Sequence, residues 1–195
     1  MDTNELDLSS SMEEEETIVI LPRAKTDAKE QPKGETKEEI SNSFTVNKNY
    51  LKLSKLVSTA IENDKEAKEL ELDQVSPQTF EHIKNYLEHH KGVAPEIIPQ
   101  PLKSNVMAEV CKDPWDAKFV DTLWEKDKAK FYELTRAANY MHIDSLLHLC
   151  CAKIASTVKG KGLNTYAETL LPPDSYQKHL KEAAQKEKRN DNVKA

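Results

Sequence analysis

A change of hydrophobic period constrains this chain more than any other feature. Apolar residues alternate near the N-terminal end, and from Leu53 onward most of them recur every three or four positions. Thr17-Ile18-Val19-Ile20-Leu21 is a β-branched run closed by Pro22, which predicts a short strand. Ser43-Phe44-Thr45-Val46 alternates and predicts a second strand pairing back on the first; Leu70-Glu71-Leu72 predicts a third. Between them Leu53, Leu56, Val57, Ala60 and Ile61 fall on one helical face, with Asn47 or Asn49 as the cap. Short strands early and helices late point to an α+β fold.

The helices are punctuated by their caps. Ser76-Pro77 and Asp113-Pro114 each place a capping side chain before a proline at the first helical position. Phe80, Ile83 and Leu87 form the apolar stripe of the first of these helices; Trp115, Phe119 and Leu123 follow the second cap. Between the two lies His89-His90-Lys91, then a loop containing Gly92, Pro95, Pro99 and Pro101 that cannot be helix. Asp127 opens a helix carrying Phe131, Leu134, Ala138 and Met141 on one face, and Asp144 opens another. In the latter, Leu147, Cys150, Cys151, Ile154 and Val158 recur at helical spacing, and Gly160 and Gly162 end it. Its apolar arc is wider than one core stripe needs, because Leu146, Leu149 and Ala155 extend it. From periodicity alone, burial in its own domain and cover by a partner helix are equal readings. Pro172-Pro173 precedes a last, weakly amphipathic helix with Tyr176, Leu180 and Ala183 as its apolar positions.

Only 37% of residues are hydrophobic and 32% are charged, so the polar residues must gather in solvated segments around one folded unit. They do. Residues 1–16 carry seven acids and no Lys or Arg and predict a disordered tail; 23–39 predict a mobile loop; 185–195 predict a polar tail. That leaves a core over 17–143 and further helices over 144–184. The acidic tail accounts for the net charge of -6, so a basic nucleic-acid footprint is absent and anionic membranes should repel this end. No apolar run nears the ~20 residues that span a bilayer. An acidic start without a basic-then-apolar pattern argues against secretion. Three cysteines, Cys111, Cys150 and Cys151, make no disulfide framework, which points to the cytoplasm or nucleus.

Catalytic chemistry finds no foothold. The four glycines form no phosphate loop, and no G-x-S-x-G elbow occurs. Cys150 and Cys151 are adjacent, so on a helix they diverge by about 100° and read as small hydrophobes rather than metal ligands. His89 and His90 are also adjacent, with no cysteine close in sequence, and read as a solvated helix end. His142, His148 and His179 lack partner motifs. No enzyme activity, metal or other cofactor is expected.

Several segments carry more than periodicity. Pro114-Trp115-Asp116, Phe119, Leu134, Ala137-Ala138-Asn139-Tyr140, Leu146-Leu147 and Lys159-Gly160-Lys161 follow one another in an order and spacing that resembles the Skp adaptor family of SCF-type ubiquitin ligases. His89-His90-Lys91 before a proline-rich loop is also similar to that family, and the resemblance covers roughly residues 17–170. It implies a BTB/POZ-like core extended by C-terminal helices, and a non-catalytic linker. The core would dock on a cullin, with Asn139 and Tyr140 near that surface. The helix 144–158 would hold an F-box through Leu147, Cys151, Ile154 and Val158, with Tyr166, Leu170 and Leu180 closing over it.

The chain departs from the family pattern at its C-terminal end. Gly162, Leu163, Asn164 and Thr165 stand where a Thr-Pro turn with acidic residues is usual, Tyr176-Gln177-Lys178-His179 replaces an acidic run, and the family's terminal Trp is missing. The loop 23–39 is longer than usual. Two rivals follow. One is a Skp-like structural subunit of a large assembly, holding one fixed helical partner and no cullin. The other is an elongin-C-like adaptor, against which the helices beyond 144 argue.

Overall fold

A computed structural model describes residues 16–23, 43–64 and 66–181. Residues 1–15 of the acidic tail, the loop 23–39 beyond Arg23 and the tail 185–195 lie outside the described residues. The three predicted strands form one sheet: β1 (Thr17–Pro22), β2 (Phe44–Asn47) and β3 (Glu69–Leu72), in the order β2-β1-β3. β2 runs antiparallel to β1 with Ile18 opposite Val46, and β3 runs parallel to β1 with Ile20 opposite Leu70. The parallel pair needs a crossover. A 3₁₀ turn (Tyr50–Leu53) and α1 (Lys55–Asn63) supply it. Alternation places Ile18, Ile20 and Pro22 on the buried face of β1, as a period of two requires.

The helical part runs α2 (Pro77–His90), α3 (Met107–Val110), α4 (Pro114–Lys126), α5 (Lys128–Tyr140), α6 (Asp144–Val158) and α7 (Tyr166–Leu170), followed by a helical stretch over 173–181. The fold is α+β. α5 packs on α2, α4 and α6, so it is the central helix. The core is continuous from the sheet to α6: Ile18, Ile20 and Val46 join Phe80, Tyr86, Phe131 and Leu134, and then Leu146, Leu149 and Cys150. Phe44 lies on Phe80 with ring centroids 5.1 Å apart.

Three predicted caps stand. Ser76 Oγ accepts from Thr79 N, Asp113 from Trp115 N, and Asp127 from Ala129 N and Lys130 N. Two expectations are corrected. α1 is capped by Ser54, not by Asn47 or Asn49, because a 3₁₀ turn containing Leu53 intervenes and delays the helix. Asn47 instead accepts from Asn49 N within the turn. α6 has Ile143 at its cap position without a side-chain bond, and Asp144 is already helical, 2.5 Å from Lys55 Nζ.

Ser54 has a second role. Its fully buried hydroxyl accepts from Val57 N at 3.3 Å and donates to Met141 O at 2.6 Å, tying α1 to the end of α5. Ser54→Ala removes a cap and leaves a buried carbonyl underserved. It should cost about 2 kcal/mol, read as a lower urea midpoint with an unchanged m-value.

Candidate interaction surfaces

The α5–α6 corner is built by backbone geometry. Met141 N and Ile143 N donate to Ala137 O and Ala138 O, and His142 adopts a left-handed φ of 52°. Ala137 and Ala138 are buried against the core, which leaves Asn139 exposed and Tyr140 half-buried at the helix end. Lys55 N and Leu56 N donate to His142 O and Met141 O, so the start of α1 lies against this corner. The corner is therefore a rigid platform that presents Asn139 and Tyr140 from a helix whose other side is core.

α6 divides its wide apolar arc between two duties. Leu146, Leu149, Cys150, Ala152 and Ser156 are buried. Leu147, Cys151, Ile154 and Val158 fall within roughly 60° of one another on a different face, by helical geometry. Of these, Cys151 is exposed and Leu147, Ile154 and Val158 are half-buried. Cys150 is the buried member of the adjacent pair and Cys151 the exposed one, because the 100° step turns it outward. Burial pushes the Cys150 thiol up to about 12, so it stays protonated near neutral pH.

α7 folds back over the bundle and touches α6. Tyr132 Oη donates to Leu170 O at 2.9 Å, and Lys128 Nζ donates to Thr169 O at 2.7 Å. Leu170 packs against the core cluster and Tyr166 is half-buried on the same short helix. Leu180 is 43% exposed on the stretch 173–181. The structure thus gathers Leu147, Ile154 and Leu170 against one core, whereas Leu180 stands out in solvent.

Sequence reasoning missed one wall beside α6. Ile97, Ile98, Pro101 and Leu102 face Cys151, Ala152 and Ala155 across a cleft of about 560 Å³. The available signal was Ile97-Ile98 between two prolines, an apolar pair inside a segment read only as loop. The histidine reading also changes. His89 Nε2 lies 2.7 Å from Asp113 Oδ2, and His90 Nε2 lies 2.9 Å from Asp116 Oδ1. The side chains of His90 and Asp116 are each only 7% exposed, so this end of α2 is not simply solvated. The hydrogen bond with His89, helped by the one from Trp115 N, holds the Asp113 carboxyl below the usual range. Burial pushes the Cys111 thiol up to about 11, and the neighbouring Asp116 adds to the rise.

Comparison with known proteins sets these surfaces in context. No family model matches the chain. It is 31% identical over 148 residues to an S-phase kinase-associated protein 1 homolog of Tetrahymena thermophila, covering 74% of this chain and 87% of the relative. The chain belongs to the Skp adaptor family. Within the Skp family it is also 28% identical over 146 residues to SKP1-like protein 11 of Arabidopsis thaliana, again covering 87% of the relative. It is 27% identical over 118 residues to the E3 ubiquitin ligase complex SCF subunit sconC of Arthroderma benhamiae, 69% of that protein. The α+β arrangement of sheet and helices is the BTB/POZ-like one expected of a Skp protein. Among the described residues no helix is long and apolar enough to cross a membrane.

Proposed function

We propose that this Skp-family chain is a non-catalytic adaptor that joins a cullin scaffold to F-box substrate receptors in an SCF-type ubiquitin ligase of the cytoplasm or nucleus. The observation that carries the reading is the division of α6. One face is locked into the core and another offers Leu147, Cys151, Ile154 and Val158, with α7 alongside. An amphipathic helix from a receptor buries its apolar stripe against such a face. The α5–α6 corner, with Asn139 and Tyr140, is the cullin surface in this reading. The domain division follows: residues 17–143 form the scaffold-binding core, and 144–184 the receptor grip. The adaptor makes and breaks no bond. Its contribution is preorganisation, since two rigid surfaces on one core reduce the ordering cost of assembly.

Affinity purification of the chain from its own cells is the direct test. Recovery of a cullin with several F-box proteins is expected; one fixed helical partner with no cullin would instead mark a structural subunit. Charge insertion tests the cullin surface separately. Asn139→Lys with Tyr140→Lys should weaken cullin binding by about 2 kcal/mol or more, roughly thirtyfold, by placing unpaired charge in a desolvated contact. Binding of an F-box should be unchanged, as both residues lie off α6. Normal cullin affinity of the double variant would move the surface elsewhere.

A further inference from the structure

The end of α2 meets the start of α4 in a constellation outside the two surfaces proposed above. Asp113 is fixed at both carboxylate oxygens. Oδ1 accepts from Trp115 N at 2.8 Å, and Oδ2 lies 2.7 Å from His89 Nε2. The His89 ring stacks on Trp115 with centroids 4.1 Å apart and planes 9° from parallel, and Trp115 stacks in turn on Phe119. His90 is set edge-on to His89, with centroids 4.9 Å apart, against Tyr86 on its other side. Asp116, buried in the first turn of α4, holds His90 Nε2 at 2.9 Å. One ligand atom from each of His89, His90 and Asp113 lies within 4.8 Å of the other two. These atoms border a cleft of about 910 Å³, so a cation can enter with water.

The same atoms that hydrogen-bond one another can serve a cation instead. With its proton on Nδ1, neutral His89 turns an Nε2 lone pair toward Asp113 Oδ2, and neutral His90, giving its Nε2–H to Asp116, keeps an Nδ1 lone pair. A divalent cation takes both lone pairs and the Asp113 charge together. Ligand atoms about 2 Å from a common tetrahedral ion stand roughly 3.3 Å apart, so the existing separations need to change by on the order of 1 Å. We propose that His89, His90 and Asp113 form a three-ligand site for a zinc-class divalent cation, with Asp116 as the carboxylate that positions His90. Two imidazoles and a carboxylate suit zinc, whereas calcium and magnesium take mainly oxygen donors. The carboxylate behind a liganding histidine is the usual second support of such sites.

The ion would join the two ends of the segment 91–112, which supplies Ile97, Ile98 and Leu102 to the cleft beside α6. This assignment does not depend on the cullin or F-box reading. The test is calorimetric titration of the untagged, chelator-treated full chain with zinc chloride. One ion per chain is expected, with a higher melting temperature and slower proteolysis within 93–106. Calcium and magnesium should bind at least tenfold more weakly. Asp113→Asn keeps a capping side chain and should lose the site, as should His89→Asn. Asp116→Asn should weaken zinc by about tenfold to a hundredfold. His148→Asn, bordering the same cleft outside the triad, should bind normally. Circular dichroism of each variant separates lost binding from lost fold, and Asp113→Asn decides if His89→Asn does not fold. Absence of one-site zinc uptake by the native chain, or unchanged affinity in folded Asp113→Asn, overturns the proposal.

Discussion

Gly92→Ala is expected to be among the most destabilising single-methyl additions in this fold. Gly92 has φ +79°, and a Cβ placed there would lie 2.1 Å from the carbonyl oxygen of Asn49 and 3.0 Å from its carbonyl carbon. Both contacts are with backbone, so no side chain can swing aside to relieve them. The neighbouring backbone is committed as well. Lys91 already has a left-handed φ of 49°, Lys91 N donates to Leu87 O, and Val93 N donates to His90 O. Asn49 begins the 3₁₀ turn that carries the fully buried Leu51. Relief therefore requires either that the end of α2 unwind or that the turn before α1 withdraw from the core. The cost should be about 3 kcal/mol or more, which for a chain of this size lowers the melting temperature by roughly 6–12 °C. Thermal unfolding checks it. A shift of a degree or two would show that the close approach of Gly92 to Asn49 does not exist in solution.

That contact also shows what could be read in advance. Gly92 is visible as a helix stop, since a glycine after His-His-Lys is a local signal. Its approach to Asn49 joins residues far apart in sequence and leaves no trace in periodicity. The same boundary runs through the site. Ser76-Pro77, Asp113-Pro114 and Asp127 announced their helices because a cap acts on residues two or three positions away. The β1–β2 pairing was legible because alternation fixes which face is buried. The α1 start was misplaced because Leu53 fits helical spacing while belonging to the preceding turn. The pairs His89–Asp113 and His90–Asp116 span 24 and 26 residues, so adjacency of the two histidines told nothing of their partners. On α6, the breadth of the apolar arc was readable, but its division was not. Leu146 and Leu147 are alike in composition, and the packing of α4, α5 and α7 around α6 makes one core and leaves the other half-buried.

The same division of α6 sets the outcome of removing everything after Gly162. The core members end with Ala152, and Ser156 completes the buried face, so the truncated chain keeps the sheet, α1 to α6 and the Asn139–Tyr140 corner. What it loses is cover. Leu170 leaves the core cluster, and the bonds from Tyr132 Oη to Leu170 O and Lys128 Nζ to Thr169 O disappear. Both donors are only partly buried and turn to water, so the direct cost should be no more than about 2 kcal/mol. The truncated chain should therefore fold and still bind a cullin. It should also show Leu147, Ile154 and Val158 more fully, and large bare apolar patches promote association. Binding of an F-box is where the effect should be total. A receptor helix laid on α6 would then keep the wall of Ile97, Ile98 and Leu102 but lose Tyr166, Leu170 and Leu180 on the other side, and poorly enclosed anchors contribute little. Pull-down of full-length and truncated chains against a panel of F-box proteins, with thermal unfolding of both, measures the two effects side by side. Loss of every F-box with a melting temperature lowered by only a few degrees is the expected pairing, whereas equal recovery by both chains would remove the C-terminal grip from the function.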